Sequence, residues 1–110
     1  MNKKYIIRKN EEIQSIINNS SKKVSKSFVI YYLKNNYDYN RYCISVSKKI
    51  GKANIRNLYK RRIKDILMKN KLDKSYDCVI ILRKAILDIN YINIKEELLN
   101  ILEELKWRKK

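Results

Sequence analysis

The segment SVSKKIGKANIRNLYKRRIK, from Ser45 to Lys64, decides how this chain of 110 residues is interpreted. It joins a strand-like alternation to a basic helical pattern, and Gly51, the only glycine of the chain, lies between the two. From Ile13 to Lys64 the chain carries thirteen Lys or Arg residues and a single acid, Asp38. This imbalance predicts a polyanionic partner, because neutralisation relieves the self-repulsion of the folded state and releases counterions.

The overall composition is that of a small, strongly basic globular protein. The formal net charge is +16, while the hydrophobic fraction of 45% is ordinary for a folded domain. We therefore expect a single domain over residues 1–110, with residues 1–9 as a flexible basic arm. No apolar segment approaches the length of a membrane span, and the N-terminus lacks the apolar core of a signal peptide. These features predict a cytoplasmic protein with nucleic acid, rather than a membrane or a small-molecule substrate, as its partner.

Three helices are predicted from apolar residues that recur every three to four positions. The first begins at Asn10, a capping residue, with Glu11 and Glu12 in its first turn, where the helix dipole favours anions. The second runs from about Asn54 to Asn70, and the third runs from a cap within residues 88–90 to about Lys106. The predicted core stripes are Ile13, Ile16 and Ile17 in the first helix, Ile55, Tyr59, Ile63, Ile66 and Leu67 in the second, and Ile94, Leu98, Ile101, Leu102 and Leu105 in the third.

Strands are predicted where β-branched and aromatic residues cluster or alternate with polar ones. Phe28 to Leu33 and Cys78 to Leu82 indicate buried strands, and Arg41 to Ser47 alternates and should pair with the first of these as a hairpin. The pattern also allows a short extra strand near Lys23 to Lys26. The resulting order, α-β-β-(β)-α-β-α, predicts a single-domain α+β sandwich.

The chain offers little for protein-based catalysis. It has no histidine, and four of its eleven acids lie on the last helix with the spacing of a solvated face. Cys43 and Cys78 both lie in apolar runs, which predicts buried core thiols rather than a zinc site. We therefore expect no catalytic residue, no metal ligand and no cofactor bound by the protein itself.

The polar face of the second helix is the strongest functional signal from pattern alone. It carries basic and amide side chains with no acid except Asp65 at its edge, whereas solvated helices usually mix charges of both signs. Arginine and asparagine suit phosphate and sugar contacts. The residues of this helix and its approach that we predict to bind nucleic acid, and that the resemblance described next assigns to RNA, are Lys48, Lys49, Lys52, Arg56, Asn57, Lys60, Arg61 and Lys64.

The segment from Ser45 to Lys64 resembles the signature of the bacterial ribonuclease P protein family, SVSKK-[IV]-G-x-A-x-x-R-N-R-x-K-R. The second arginine of the R-N-R element is Leu58 here. The resemblance extends to an Asn10–Glu11 helix start, to an F-V-x-Y strand at Phe28 to Tyr31, and to the Arg83–Lys84 pair after the last strand. The residues that match the signature in register are Ser45, Val46, Ser47, Lys48, Lys49, Ile50, Gly51, Ala53, Arg56, Asn57, Lys60 and Arg61.

The resemblance implies several properties that the residue pattern does not supply. It implies a left-handed β-α-β crossover through the basic helix, in a fold like the second domain of a small-subunit ribosomal protein. It implies that a catalytic RNA, using Mg²⁺, removes the 5′ leader of precursor tRNA, and that the protein is a subunit of this endoribonuclease. It also implies a groove that binds the leader, formed by Ile13, Ile17 and Tyr31.

Three other functions compete with this interpretation. A small ribosomal or other structural rRNA-binding protein fits the charge and size, but such proteins usually carry long basic tails. A DNA-binding regulator would place its recognition helix after a tight turn in a largely helical domain, whereas two strands precede the basic helix here. A nuclease acting without RNA would need the acid and base groups that this chain lacks.

Overall fold

A computed structural model describes residues 3–72 and 74–106, which form a four-stranded mixed sheet with helices on both faces. Each predicted helix is present within one or two residues of its expected bounds. The elements in chain order are α1 (Asn10–Asn19), β1 (Ser21–Val24), β2 (Phe28–Lys34), β3 (Arg41–Ser45), α2 (Ala53–Lys69), β4 (Tyr76–Leu82) and α3 (Tyr91–Glu104).

Helix starts follow the capping signals only in part. Asn90 caps α3, because its side-chain oxygen accepts a hydrogen bond from the backbone N–H of Asn93 at 2.9 Å. Asn10 was predicted to cap α1, but Lys9 occupies the cap position and makes no side-chain capping bond. The stabilisation at this end therefore comes from Glu11 and Glu12, whose charges lie in the first turn near the positive end of the helix dipole.

The strand order is β1-β2-β4-β3, which corrects the predicted hairpin between β2 and β3. β2 pairs antiparallel with both β1 and β4, whereas β3 pairs parallel with β4 and reaches it through α2. The physical reason lies in β4, whose apolar side chains point to both faces and are best buried in the middle of the sheet. The hand of the crossover through α2 stays a prediction.

Two apolar clusters lie on opposite faces of the sheet. The larger cluster joins α2 and α3 to the inward-facing residues of β2, β3 and β4, and it includes Phe28, Ile30, Cys78 and Ile80. All five predicted core residues of α3 are buried, as are four of the five predicted for α2. Ile55 is the exception, since it is 36% exposed at the start of α2, where the helix extends beyond the core.

The smaller cluster lies under α1 and contains buried Ile7, Ile16 and Val79. Ile7 is 3% exposed, and its backbone N–H donates to the carbonyl of Tyr42 on β3 at 2.8 Å. The expected flexible arm over residues 1–9 therefore needs correction at Ile6 and Ile7, which lie along the edge of β3. Residues 1 and 2 of that arm fall outside the described residues.

Candidate nucleic-acid interface

The approach to α2 is a turn that holds basic side chains in solvent. Val46 and Ile50 are buried and anchor this turn to the core. Gly51 adopts φ +156°, and a Cβ atom there would lie 3.2 Å from the Cβ and Cγ2 atoms of Ile55. The backbone conformation therefore favours glycine, and a larger residue would also require the Ile55 side chain to shift by a few tenths of an ångström. The exposed cations that this turn presents are Lys48, Lys49 and Lys52.

The predicted basic residues on the polar side of α2 differ in how far they are exposed to solvent. Asn57 and Arg61 are exposed, whereas Arg56, Lys60 and Lys64 are partly buried. Side chains three or four positions apart lie one above another on a helix, so these residues form a continuous surface along α2. We call this surface, together with the three lysines of the preceding turn, the basic band.

Arg56 has an unusual local environment within the basic band. Its Nε atom is buried and has no hydrogen-bond partner; among the described residues the only other such side-chain atom is the Ser27 hydroxyl. A buried donor without an acceptor costs about 1–3 kcal/mol. The Arg56 side chain at the start of α2 therefore has an Nε–H group that donates no hydrogen bond within the described part of the protein.

Lys60 and Lys64 connect the basic band to the edge of the sheet. Both lysines line a small cavity of about 130 Å³ together with Ile6, Ile7 and Cys43. Burial raises the pKa of the Cys43 thiol, and the nearby positive charge of Lys60 acts in the opposite direction. The two lysines thus lie beside β3 rather than directly opposite the core, which the helical wheel alone did not predict.

The three predicted groove residues come together on the α1 face of the sheet. Ile13, Ile17 and Tyr31 are each partly buried and pack against the cluster of Ile7, Ile16 and Val79. Ile7 and Cys43 belong to this cluster and also line the cavity beside Lys60. The apolar α1 face and the basic band are therefore adjacent surfaces that meet along β3.

Lys22 is a candidate RNA-binding residue that the sequence reasoning missed. It lies directly opposite Tyr31 in the β1–β2 ladder, and its Nζ atom is 5.9 Å from the centroid of the Tyr31 ring. Only the register of β1 against β2 places this cation over the tyrosine. The sequence signal was limited to a possible short strand near these residues.

The described part of the chain contains no obvious centre for metal-dependent catalysis. No group of three or more Cys, Asp or Glu residues there is arranged to hold a metal ion. Two carboxylates have structural partners, since Asp77 accepts a hydrogen bond from Arg41 and Glu97 accepts one from the backbone N–H of Ser27 in the turn between β1 and β2. None of the described helices is long and apolar enough to cross a membrane.

Comparison with known proteins gives one consistent family. The sequence pattern of the family described as Ribonuclease P matches residues 1–106. The ribonuclease P protein component of Mycoplasma capricolum is 41% identical over 109 residues, covering 96% of this chain and 100% of that protein. The ribonuclease P protein component of Streptococcus agalactiae is 36% identical over 104 residues, covering 94% of this chain and 95% of that protein.

Solved structures show the same fold. A Staphylococcus aureus RNase P protein, a mutant with defective mRNA degradation activity, superposes with a TM-score of 0.86 at 34% identity, covering 92% of this chain and 87% of that one. The RNase P protein from Thermotoga maritima superposes with a TM-score of 0.85 at 31% identity, covering 92% of this chain and 97% of that one. Sequence and structure therefore agree over nearly the whole chain.

Proposed function

The chain belongs to the ribonuclease P protein family, and from this premise we propose how its surfaces serve a ribonuclease P holoenzyme. As the protein component, it partners the RNA of ribonuclease P. We propose that the basic band binds this catalytic RNA, and that the α1 face binds the single-stranded 5′ leader of precursor tRNA. The complex would then act in the cytoplasm to produce the mature 5′ end of tRNA.

The observation that carries this proposal is the basic band itself. Exposed lysines of the turn before α2 continue into Arg56, Lys60, Arg61 and Lys64, with no carboxylate between them along the helix. A phosphate backbone matches this arrangement, because each neutralised phosphate releases bound counterions and strengthens binding. Arg56 adds a guanidinium group on a side chain that is only partly buried, and arginine donates charge-assisted hydrogen bonds to phosphate oxygens.

The α1 face suits unpaired nucleotides better than a duplex. Tyr31 provides an aromatic surface on which a base could stack, with the Lys22 ammonium group near the ring to attract phosphate. Ile13 and Ile17 provide an apolar wall beside it. The proximity of this face to Lys60 and Lys64 supports a continuous path from the catalytic RNA to the leader.

In this proposal the RNA subunit performs the cleavage chemistry, using Mg²⁺ that the protein does not itself bind. The protein contributes binding energy and position: it neutralises phosphates near the cleavage site and orients the leader relative to the RNA. A role as a structural rRNA-binding protein is not favoured, because the family match extends over residues 1–106.

Reconstitution tests the proposal directly. Purified protein, its cognate ribonuclease P RNA and a 5′-labelled precursor tRNA should be combined at moderate Mg²⁺ concentration, and release of the leader should be followed with time. We expect the protein to stimulate cleavage by the RNA, and to cleave nothing when it is freed of RNA. A control with the Lys60→Ala/Arg61→Ala variant should show reduced stimulation at the same protein concentration.

Two results would contradict this function. Metal-dependent cleavage by nuclease-treated, RNA-free protein would place catalytic groups in this chain. A protein that neither binds the cognate RNA nor changes its cleavage rate would remove the proposed role of the basic band.

A further inference from the structure

A third surface feature lies near the C-terminal end of α2, beyond the last residue of the basic band. It is an open cavity of about 490 Å³ between the segment before α1, the loop from β2 to β3, and the end of α2. This volume is within the range of small-ligand pockets. The lining residues that matter for its chemistry are Tyr5, Asp38, Tyr39, Tyr42, Met68 and Lys71.

Aromatic rings form one side of this cavity. Tyr5 and Tyr39 meet edge to face, with ring centroids 5.2 Å apart and planes at 82°. Both rings are only partly buried, whereas Tyr42 beneath them is 7% exposed and is held by a hydrogen bond from the buried Asn40 amide at 3.1 Å. A rigid floor thus supports two tyrosines that keep aromatic surface open.

Positive charge lies directly beside these rings. The Nζ atom of Lys4 is 4.9 Å from the centroids of both Tyr5 and Tyr39, and the Nζ atom of Lys71 is 5.6 Å from that of Tyr5. Cation–π contacts at exposed sites are weaker than the stacking of a base on an aromatic ring. A base could therefore take a place against a ring while the ammonium groups move to its phosphate.

Asp38 is the one acid among the described residues that line the cavity, and it is exposed. Its carboxylate can accept hydrogen bonds from the exocyclic amino group of a base such as cytosine. The cavity therefore combines stacking surface, cations for phosphate and one acceptor. An acidic peptide would use the lysines but would gain nothing from the tyrosine faces or from Asp38.

This cavity is separate from the two surfaces already described. Met68 on its wall lies four residues after Lys64, the last residue of the basic band in α2, which corresponds to about 6 Å along the helix axis. None of the lining residues that the structure describes belongs to the basic band or to the α1 face. RNA held by the basic band could reach the cavity by continuing along α2 beyond Lys64.

We propose that this cavity is a further RNA-binding site that takes one unpaired nucleotide, with the base stacked on Tyr5 or Tyr39 and the phosphate held by Lys4 and Lys71. The inference rests on the proposed RNA-binding function, which it extends to a third surface of the protein. It assigns roles to residues of the N-terminal segment and of the loop between β2 and β3 that the basic band does not use.

Photocrosslinking of the full-length protein tests this site. The probe is octacytidylate RNA with one 5-iodocytidine, which couples to nearby aromatic side chains on irradiation, and crosslinked peptides are identified by mass spectrometry. We expect crosslinks to Tyr5 or Tyr39. Crosslinks confined to Tyr31 would overturn the cavity site while leaving the proposed function intact. If the protein bound neither the probe nor the ribonuclease P RNA, the result would contradict both the cavity site and the proposed function.

Matched variants add a quantitative test by equilibrium binding of the same RNA. Tyr39→Leu should weaken binding about fivefold or more through lost stacking. Lys71→Gln should weaken binding more than Lys69→Gln, which removes the same charge from an exposed lysine whose partner is Asp65. Equal effects of the two lysine variants, with an unchanged affinity for Tyr39→Leu, would show that the cavity contributes only general charge.

Discussion

Arg41 and Asp77 lie opposite each other on the neighbouring parallel strands β3 and β4 and form a bidentate ion pair. Arg41 donates from Nε to Oδ1 at 2.9 Å and from Nη2 to Oδ2 at 2.6 Å. The hydrogen bond to Asp77 raises the pKa of Arg41 above its ordinary value. Arg41 also lies 3.7 Å from Glu12 on α1, so one side chain joins the edge strand, the central strand and the helix over the α1 face.

Loss of this ion pair should destabilise the protein substantially. Asp77 is 7% exposed, and Arg41→Ala would leave its carboxylate buried with the Asn35 amide as its one side-chain partner among the described residues. We expect the free energy of unfolding to fall by about 3 kcal/mol, measured by urea denaturation. As a control, Lys23→Ala removes an exposed ion pair with Glu104 and should cost less than about 1 kcal/mol. Similar small losses in both variants would contradict the structural role of Arg41.

Alkaline conditions should weaken the fold through Tyr42. Burial raises the pKa of Tyr42 to about 12, whereas tyrosine in an unfolded chain titrates near 10. The stability gained by keeping this hydroxyl protonated is therefore complete below about pH 10 and is lost as the pH rises toward 12. Between about pH 9 and pH 11, the wild type should lose roughly 1 kcal/mol more stability than Tyr42→Phe. Parallel stability curves for the two proteins would contradict this assignment.

Removal of two charges from the basic band should change the salt dependence of RNA binding. Lys60→Ala/Arg61→Ala should lower the slope of log K against log salt by about two, one for each lost phosphate contact. Stability should change little, because neither side chain belongs to the core. The control variant Lys95→Ala/Lys106→Ala removes the same charge from exposed positions in and after α3. If both double variants change the slope equally, α2 acts only through net charge.

Tyr31 should distinguish precursor from mature tRNA. Tyr31→Leu keeps apolar packing on the α1 face but removes the ring, so binding of precursor tRNA should weaken by about 1–3 kcal/mol while binding of mature tRNA stays the same. Tyr32→Leu is a suitable control, because Tyr32 lies on the opposite face of the same strand and is buried against Tyr76. This control should lower stability without selectivity between the two RNAs. Equal weakening for both RNAs in Tyr31→Leu would remove Tyr31 from the leader site.

The positions of the helices and strands followed from local patterns. Ile94, Leu98 and Leu102 recur at helical spacing, and Asn90 supplies the capping oxygen that starts α3. The segment before α2 was recognisable because Gly51 and the surrounding basic residues match a family signature. In each case the signal lies within a few consecutive residues, where backbone geometry and burial impose a short period on the sequence.

The pairing of β3 was not predictable in the same way. Its alternating residues fit a hairpin with β2 as well as a parallel ladder with β4, and the choice depends on burying both faces of β4 in the middle of the sheet. The exposure of Ile55 and the burial of Ile7 have a related cause. Each depends on whether a distant element covers that position.

By itself, the sequence determined the family, the order of elements and the set of basic residues on α2, because these depend on residue identity and short-range periodicity. Only the tertiary structure decided that Lys60 lies beside the α1 face, that Lys22 approaches Tyr31, and that Tyr5 meets Tyr39 across a cavity. These contacts join residues from separate elements. Their geometry is set by strand register and by packing of the whole core, which no local stretch of sequence specifies.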